Sequence, residues 1–301
     1  MKKFFLFLFV LVFCTSTIGG SCLAAAYTPN FDLAAESVYL INLDSDMVIC
    51  EQNADKPIEP SSLAQLMTVV LALEKVENPE NAMATMRGYI QDEMYRQNVS
   101  LGGIRLAGLY KDEEISIQKL MYAVMIRDAN EAAMMIADYV GDGSVPYFVE
   151  MMNERAQELG MSGTKFTSPH GLPDPESHTT ARDMAILAEK VFSDERLLPF
   201  LSKSSYTLPE TNKNKERTLI TTNQLLRQNS GNYYKYALAG KTGSTTAAGY
   251  NLISCAKYKG MEYICLTMNA SYSNAANPVF ADSISLYKWA FNNFSVQTLL
   301  D

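Results

Sequence analysis

The residues best suited to chemistry in this chain lie at the start of a helix-like segment. Residues 60–68 read PSSLAQLMT, and apolar residues recur at helical spacing from here to position 76. A serine in the first turn of a helix meets unpaired backbone N–H groups and the positive end of the helix dipole. Both stabilise negative charge at the serine oxygen, so Ser62 is a candidate nucleophile. The structural alternative is that Ser62 caps the helix.

The residue three positions after this serine decides how fast such chemistry can run. Gln65 lies on the same helix face as Ser62. A lysine at this position can take the serine proton when the site lowers its pKa. An amide can hydrogen-bond the hydroxyl but is no base, and a positioned general base contributes roughly 10²- to 10⁴-fold. The sequence therefore predicts a nucleophile position whose base is replaced.

Two more segments carry groups of the same kind of site. Lys241 and Thr242 can bind a substrate carboxylate, and Gly243 lets the backbone approach closely. Asp128 and Asn130 lie between the two ends of the constellation. Serine–lysine hydrolases combine S-x-x-K, S-x-N and K-T-G. This chain keeps the K-T-G segment and the asparagine, but it replaces the lysine of the first motif and the serine of the second.

Taken together, these motifs make the chain resemble the D-alanyl-D-alanine carboxypeptidases, the low-molecular-mass penicillin-binding proteins. The resemblance covers nearly all of residues 34–294. The ordered segments that carry it are Ala34–Val38, Asn53–Asp55, Pro60–Thr68, Asn130–Ala133, Ser168–Asp174, Thr180–Ala185, Thr222–Leu226, Lys241–Gly243 and Ala248–Tyr250.

The resemblance implies a fold, a ligand and a site. The fold would be α/β, an antiparallel sheet flanked by helices with an inserted helical subdomain at roughly residues 77–200, of the β-lactamase and penicillin-binding transpeptidase type. The substrate would be a peptidoglycan stem peptide ending in D-Ala-D-Ala outside the membrane, and β-lactams would also bind. The oxyanion hole would be the N–H groups of Ser62 and Ser244. Neither a metal nor a cofactor is expected.

Three departures from the family pattern leave the function open. Gln65 replaces the general-base lysine, Asp128 replaces the serine of S-x-N, and Val279 stands where a basic residue often precedes the last helix. Asp128 is a poor substitute base, because an aspartate carboxylate takes up a proton only weakly and pairing with Lys241 would make it a weaker base still. Lys241 acting as base is the other route.

These departures leave three functions to weigh. The first is a catalytically impaired D-alanyl-D-alanine carboxypeptidase. The second is a non-catalytic peptidoglycan-binding or regulatory protein. The third is a β-lactamase-like hydrolase, for which no water-activating residue can be named.

The N-terminal segment predicts that the protein is exported. Lys2 and Lys3 precede an apolar run and a small-residue cleavage site, so residues 1–26 are interpreted as a signal peptide cut after Ala26. The remaining 275 residues (301 − 26) would form one catalytic domain over 27–301, with no second C-terminal domain. The membrane would be touched only through an uncleaved signal.

Charge and cysteine content narrow the partners. The formal net charge of −8 becomes −10 without Lys2 and Lys3, which disfavours nucleic acid as a partner. Cys50, Cys255 and Cys265 would remain, an odd number with no zinc-like spacing. They are interpreted as buried apolar residues.

The elements that must position the site follow from local patterns. A hairpin is predicted over 37–42 and 47–52, paired strands over 250–256 and 261–268, and irregular polar chain over 77–103. Helices are predicted over 62–76, 117–140 with a break near 127–129, 146–159, 180–192 and 281–294. Strands at both ends and helices in the middle predict one sheet built from both termini. His170 is interpreted as a turn or packing residue.

Overall fold

A computed structural model of the chain describes residues 27–272 and 277–295. The proposed signal peptide, residues 1–26, lies outside the described residues. Within the described ranges, no helix has both the length and the apolar character needed to cross a membrane.

The central layer is a five-stranded antiparallel sheet in the order β2-β1-β9-β8-β7. Its strands come from the two ends of the chain, as the sequence predicts. They are β1 Ser37–Asn42, β2 Met47–Gln52, β7 Ala237–Thr245, β8 Gly249–Tyr258 and β9 Met261–Ala270. The β1–β2 hairpin and the β8–β9 pair are confirmed. β7, which carries the K-T-G segment, is an edge strand, so within the described residues one of its sides has no strand neighbour.

The helices surround this sheet. They are α1 Gln65–Lys75, α2 Gly88–Ser100, α3 Ile117–Arg127, α4 Asn130–Val140, α5 Val145–Glu158, α6 Ala181–Phe192, α7 Leu198–Leu201 and α8 Val279–Asn293. Two small antiparallel pairs lie outside the main sheet: β3 Met83–Thr85 with β4 Glu114–Ser116, and β5 Ser205–Leu208 with β6 Arg217–Ile220. Ser61–Ala64 and Gln224–Leu226 form short 3-10 helices. The sheet-and-helix architecture predicted from the sequence is confirmed.

Local capping signals explain where several helices start and stop. Thr180 Oγ1 accepts a hydrogen bond of 3.0 Å from the Asp183 N–H at the start of α6. Gly160 follows the C-terminal end of α5 and has φ +85°, the left-handed conformation in which helices commonly terminate. Asp128, with φ +60°, separates α3 from α4, which confirms the predicted break.

Two expectations were wrong. Residues 77–103 are not irregular, because β3 and α2 lie within them. The polar surface of α2 hid its periodicity, and only Ile90 and Met94 of this helix are buried. The α-helix also begins later than expected: residues 61–64 form a 3-10 helix, and Gln65 is the first residue of α1.

Apolar residues fill both faces of the sheet. Tyr39 and Ile41 of β1 point into the larger core shared with the helical layer, whereas Val38 and Leu40 point into a second core beneath α8. This alternation is the period of two expected for a strand. Both faces are covered, so all six residues of β1 are buried. Cys50, Cys255 and Cys265 are buried free thiols.

Candidate functional site

The site is built around an unusual backbone turn at Ser61. This residue is fully buried and has φ +48°, in the left-handed region that non-glycine residues rarely adopt. The turn leads directly into the 3-10 helix that carries Ser62. Strain of this kind persists where surrounding structure holds it, and it is concentrated at functional sites.

Two glycines hold the turn from opposite sides. A Cβ at Gly243 of β7 would lie 2.2 Å from Ser61 Oγ, and one at Gly171 would lie 1.8 Å from the Ser61 carbonyl oxygen. Neither position has room for a side chain. The glycine of K-T-G therefore brings β7 against the serine turn, as the close approach inferred from the sequence requires.

A cavity of about 610 Å³ opens beside this turn. Ser62, Asn130 and Ser244 line it, so three of the predicted site residues share one cleft. Arg105 and Arg127 lie on its wall and were not predicted as site residues. Arg105 falls just after the segment interpreted as irregular, and no sequence signal linked it to the motifs.

Gln65 is buried, and its amide is not arranged to accept the hydroxyl proton of Ser62. Its Nε2 donates to Asn130 Oδ1 at 3.4 Å and to the carbonyl oxygens of Asp128 at 3.4 Å and His170 at 3.2 Å. Its Oε1 has no hydrogen-bond partner within residues 27–272 and 277–295, so it does not accept a hydrogen bond from the Ser62 hydroxyl. The amide ties three segments together without engaging the candidate nucleophile as an acceptor.

Asp128 lies at the centre of the charged groups. Its side chain is 3% exposed and forms an ion pair with Lys241 Nζ. The Arg105 Nε lies 3.3 Å from Oδ2. The hydroxyls of Thr222 and Thr242 lie 2.5 Å apart and each 3.4 Å from a carboxylate oxygen, so one hydroxyl donates to the other and the remaining one donates to Asp128. The sequence left open whether Asp128 pairs with Lys241; the structure shows that it does.

Lys241 is fully buried, and its ammonium has two partners. Besides Asp128, Nζ donates to the Thr242 carbonyl oxygen at 2.9 Å. Burial lowers the pKa of Lys241, while the charge of Asp128 and its hydrogen bond oppose that shift. The K-T-G ammonium therefore has its counter-charge inside the protein.

The amide of Asn130 is also engaged by the protein. Its Nδ2 donates to the Arg105 carbonyl oxygen at 2.9 Å, and its backbone N–H donates to the same oxygen at 3.0 Å. Because Oδ1 accepts from Gln65, both ends of the amide have internal partners. Asn130 thus holds Arg105, which in turn contacts Asp128.

His170 is a turn residue, as interpreted from the sequence. Its Nδ1 accepts from the Leu172 N–H at 3.0 Å and lies 3.1 Å from the Ser168 hydroxyl. Burial lowers its pKa to about 4, so the ring is neutral at pH 7. The carbonyl of His170, and not its ring, is the atom that meets Gln65.

Glu131 is a second buried carboxylate next to the site that the sequence did not single out. Its Oε1 accepts from the N–H groups of Ala107 at 2.6 Å, Gly108 at 2.9 Å and Leu109 at 3.4 Å. Burial raises its pKa to about 7, and these backbone bonds oppose the shift. It fastens to α4 the segment that carries Arg105.

Val279, the remaining departure from the family pattern, is buried at the first residue of α8. In the part of the chain that the structure describes, no group of three or more His, Cys, Asp or Glu side chains could hold a metal ion. The catalytic role of Ser62 and the carboxylate-binding role of Lys241 and Thr242 stay predictions.

Comparison with known proteins identifies the family. The profile of the D-alanyl-D-alanine carboxypeptidases matches residues 24–272, so the chain belongs to that family. D-alanyl-D-alanine carboxypeptidase DacC of Escherichia coli is 30% identical over 267 residues, covering 88% of this chain and 63% of that protein. DacF of Bacillus subtilis is 28% identical over 265 residues, covering 88% and 64%. The chain thus spans less than two thirds of the length of these relatives.

Solved structures agree on the fold. The DD-transpeptidase of Streptomyces K15 superposes with a TM-score of 0.77 at 25% identity, covering 87% of this chain and 99% of that one. A D-alanyl-D-alanine carboxypeptidase of Mycobacterium tuberculosis gives a TM-score of 0.76 at 21% identity, covering 92% and 98%. The second likeness concerns the fold alone. The transpeptidase-like fold expected from the sequence is confirmed.

Proposed function

We propose that the chain binds the D-Ala-D-Ala segment of peptidoglycan stem peptides and that its serine chemistry is severely slowed. Membership of the D-alanyl-D-alanine carboxypeptidase family supports the ligand class. The proposal of slow serine chemistry rests on the environment of Gln65. This buried amide donates to three acceptors of the protein and occupies the position where the candidate nucleophile needs a base.

No neighbouring group replaces that base well. Burial lowers the pKa of Lys241 and the charge of Asp128 opposes that shift, but the ammonium is bonded to Asp128 and to the Thr242 carbonyl oxygen rather than to Ser62. The Asp128 carboxylate is surrounded by donors, so its lone pairs are occupied. The Nδ1 of His170 is occupied by the Leu172 N–H. An oxyanion hole and substrate binding alone would leave about 10³- to 10⁴-fold over water.

Acylation by a penicillin tests this proposal. The purified chain is incubated with the penicillin and its intact mass is compared with that of Ser62→Ala. We expect no mass gain dependent on Ser62, because no base removes its proton. A second protein carrying Gln65→Lys with Asp128→Ser should gain one penicillin at Ser62. A Ser62-dependent adduct on the unmodified chain within minutes would show that the nucleophile is active and the proposal of impairment wrong.

We also propose that the protein acts outside the cytoplasm as a single catalytic domain over 27–301, with a helical subdomain at roughly 77–200. The charged start, apolar run and Ala24–Ala26 support export through a cleaved signal. The mature protein should begin at Tyr27, which mass spectrometry of the N-terminal peptide from the exported fraction would reveal. Recovery of a chain that still begins at Met1 would contradict cleavage.

A further inference from the structure

The two groups that should recognise a ligand carboxylate already contact a carboxylate of the protein itself. Lys241 and Thr242 are the groups that the K-T-G segment offers to a substrate carboxylate. In this chain the ammonium pairs with Asp128, and Thr242 Oγ1 lies 2.5 Å from the Thr222 hydroxyl and 3.4 Å from Asp128 Oδ2. Arg105 adds a third contact at 3.3 Å to the same oxygen. An internal carboxylate therefore uses the donors that a peptide end would otherwise use.

A second carboxylate at this point would meet an unfavourable field. A ligand carboxylate oxygen bonded to Thr242 Oγ1 would lie near the Asp128 carboxylate, because that hydroxyl is itself 3.4 Å from Asp128 Oδ2. Lys241 is fully buried and Asp128 is 3% exposed, so solvent screens the two like charges poorly. Displacing Asp128 would not help, because it would leave that carboxylate buried without its partner.

The arginines at the cleft do not offset this repulsion. Arg105 is already bonded to Asp128 through Nε, and its side chain is 47% exposed. Arg127 lies on the cavity wall, partly open to solvent. Pairs formed by solvated arginines contribute little and are screened by salt. The buried Lys241–Asp128 pair, not the cleft surface, sets the local charge preference.

We propose that Asp128 is a specificity-determining residue that substitutes for the ligand's terminal carboxylate. The site then takes peptides whose end at Lys241 and Thr242 is uncharged: a C-terminal amide, or a chain that continues past the D-Ala-D-Ala segment. This inference rests on the proposed function and narrows its ligand.

Equilibrium binding of two matched peptides tests the inference. The probes are diacetyl-L-lysyl-D-alanyl-D-alanine and its C-terminal amide, measured by calorimetry at 10 °C in a Ser62→Ala background so that no turnover intervenes. With Asp128 in place, the amide should bind about tenfold or more tightly than the acid. Asp128→Asn leaves Lys241 without its counter-charge and should reverse that order.

Asp138→Asn is the matched control. Asp138 is also a buried aspartate next to an arginine, Arg87, but it lies outside the cleft and bonds Tyr89. This variant should keep the amide preference. Asp128→Ser serves as a second variant if Asp128→Asn does not fold, as judged by its thermal unfolding.

The outcomes separate the two proposals. An acid peptide that binds as tightly as the amide, or an Asp128→Asn change that shifts both affinities equally, would overturn the inference and leave stem-peptide binding intact. Binding of neither peptide by the folded protein or its variants would overturn the proposed function, and the inference with it.

Discussion

Asp128 is the residue on which the charge balance of the cleft depends. It accepts from a lysine, an arginine and the hydroxyl pair of Thr222 and Thr242, whereas Lys241 has one anionic partner among the described residues. A buried ion pair adds little net stability when it is replaced as a whole, but removing one partner leaves an uncompensated buried charge. The unequal number of partners makes the two halves of this pair unequal in their effect on stability.

Asp128→Ala should therefore destabilise the fold more than Lys241→Met. We expect a loss of about 3 kcal/mol in the free energy of unfolding for Asp128→Ala, because Lys241 must then be buried without a counter-charge or lose its proton. Lys241→Met should cost about 2 kcal/mol, less than Asp128→Ala, since Asp128 keeps a threonine hydroxyl and the half-exposed Arg105 as donors. Urea unfolding of the two variants measures both values. Equal losses would show that the partners of Asp128 do not compensate for the lysine.

At the scale of elements, two chain segments pack against the serine turn that begins the 3-10 helix at 61–64. They are the edge strand β7 and the turn at 168–171. The last of these is also fastened by Thr68, whose hydroxyl donates to the Pro169 carbonyl oxygen at 2.7 Å. Glycine is needed at the contacts because the backbones themselves touch.

Gly171→Ala should disturb this junction more than a glycine change elsewhere. Gly171 has φ +74°, and a Cβ there would lie 1.8 Å from the Ser61 carbonyl oxygen. Gly160 has φ +85° and nothing within 4 Å of its Cβ position, so Gly160→Ala is a control for the cost of positive φ alone. We expect Gly171→Ala to lose about 2 kcal/mol more than the control in chemical unfolding. Similar losses for both variants would mean that the turn moves freely away from Ser61.

At the scale of the whole molecule, two buried titratable groups give stability opposite pH dependences. Glu131 has its pKa raised to about 7 by burial, so its contribution to stability is present below its ordinary pKa of 4.5 and is lost as the pH rises through 7. His170 has its pKa lowered to about 4 by burial, so its contribution is present above 6.5 and is lost as the pH falls through 4. In the pH range where both groups titrate, raising the pH lowers the stability contributed by Glu131 and raises the stability contributed by His170.

Replacing Glu131 should expose this compensation. The quantity to compare is the free energy of unfolding of the wild type minus that of Glu131→Gln. This difference should fall by about 3 kcal/mol between pH 4.5 and 7, because each unit by which the pKa is raised corresponds to about 1.4 kcal/mol. Any pH-independent cost of burying the new amide cancels in that comparison. Urea unfolding at several pH values provides the measurement. A difference that stays constant across this range would show that Glu131 does not titrate with the raised pKa.

Local patterns in the sequence determined much of the architecture. Three predicted features depend on neighbours within a few residues, and all three are confirmed. They are the hairpin at 37–52, the interruption between two helices at 127–129 and the capped start of α6. Helix α2 escaped because most of its residues face solvent, so it lacks an apolar stripe.

The order of the motifs also determined the family and the shared cleft of Ser62, Asn130 and Ser244. Which side chains meet around that cleft was decided only by the tertiary structure. Arg105 joins Asp128, Asp128 joins Lys241 across 113 positions, and Gln65 turns its amide towards His170 and Asn130. Such pairings depend on how sheet, helices and loops approach one another, and in a buried site each charge must find its partner among whatever that packing brings within reach.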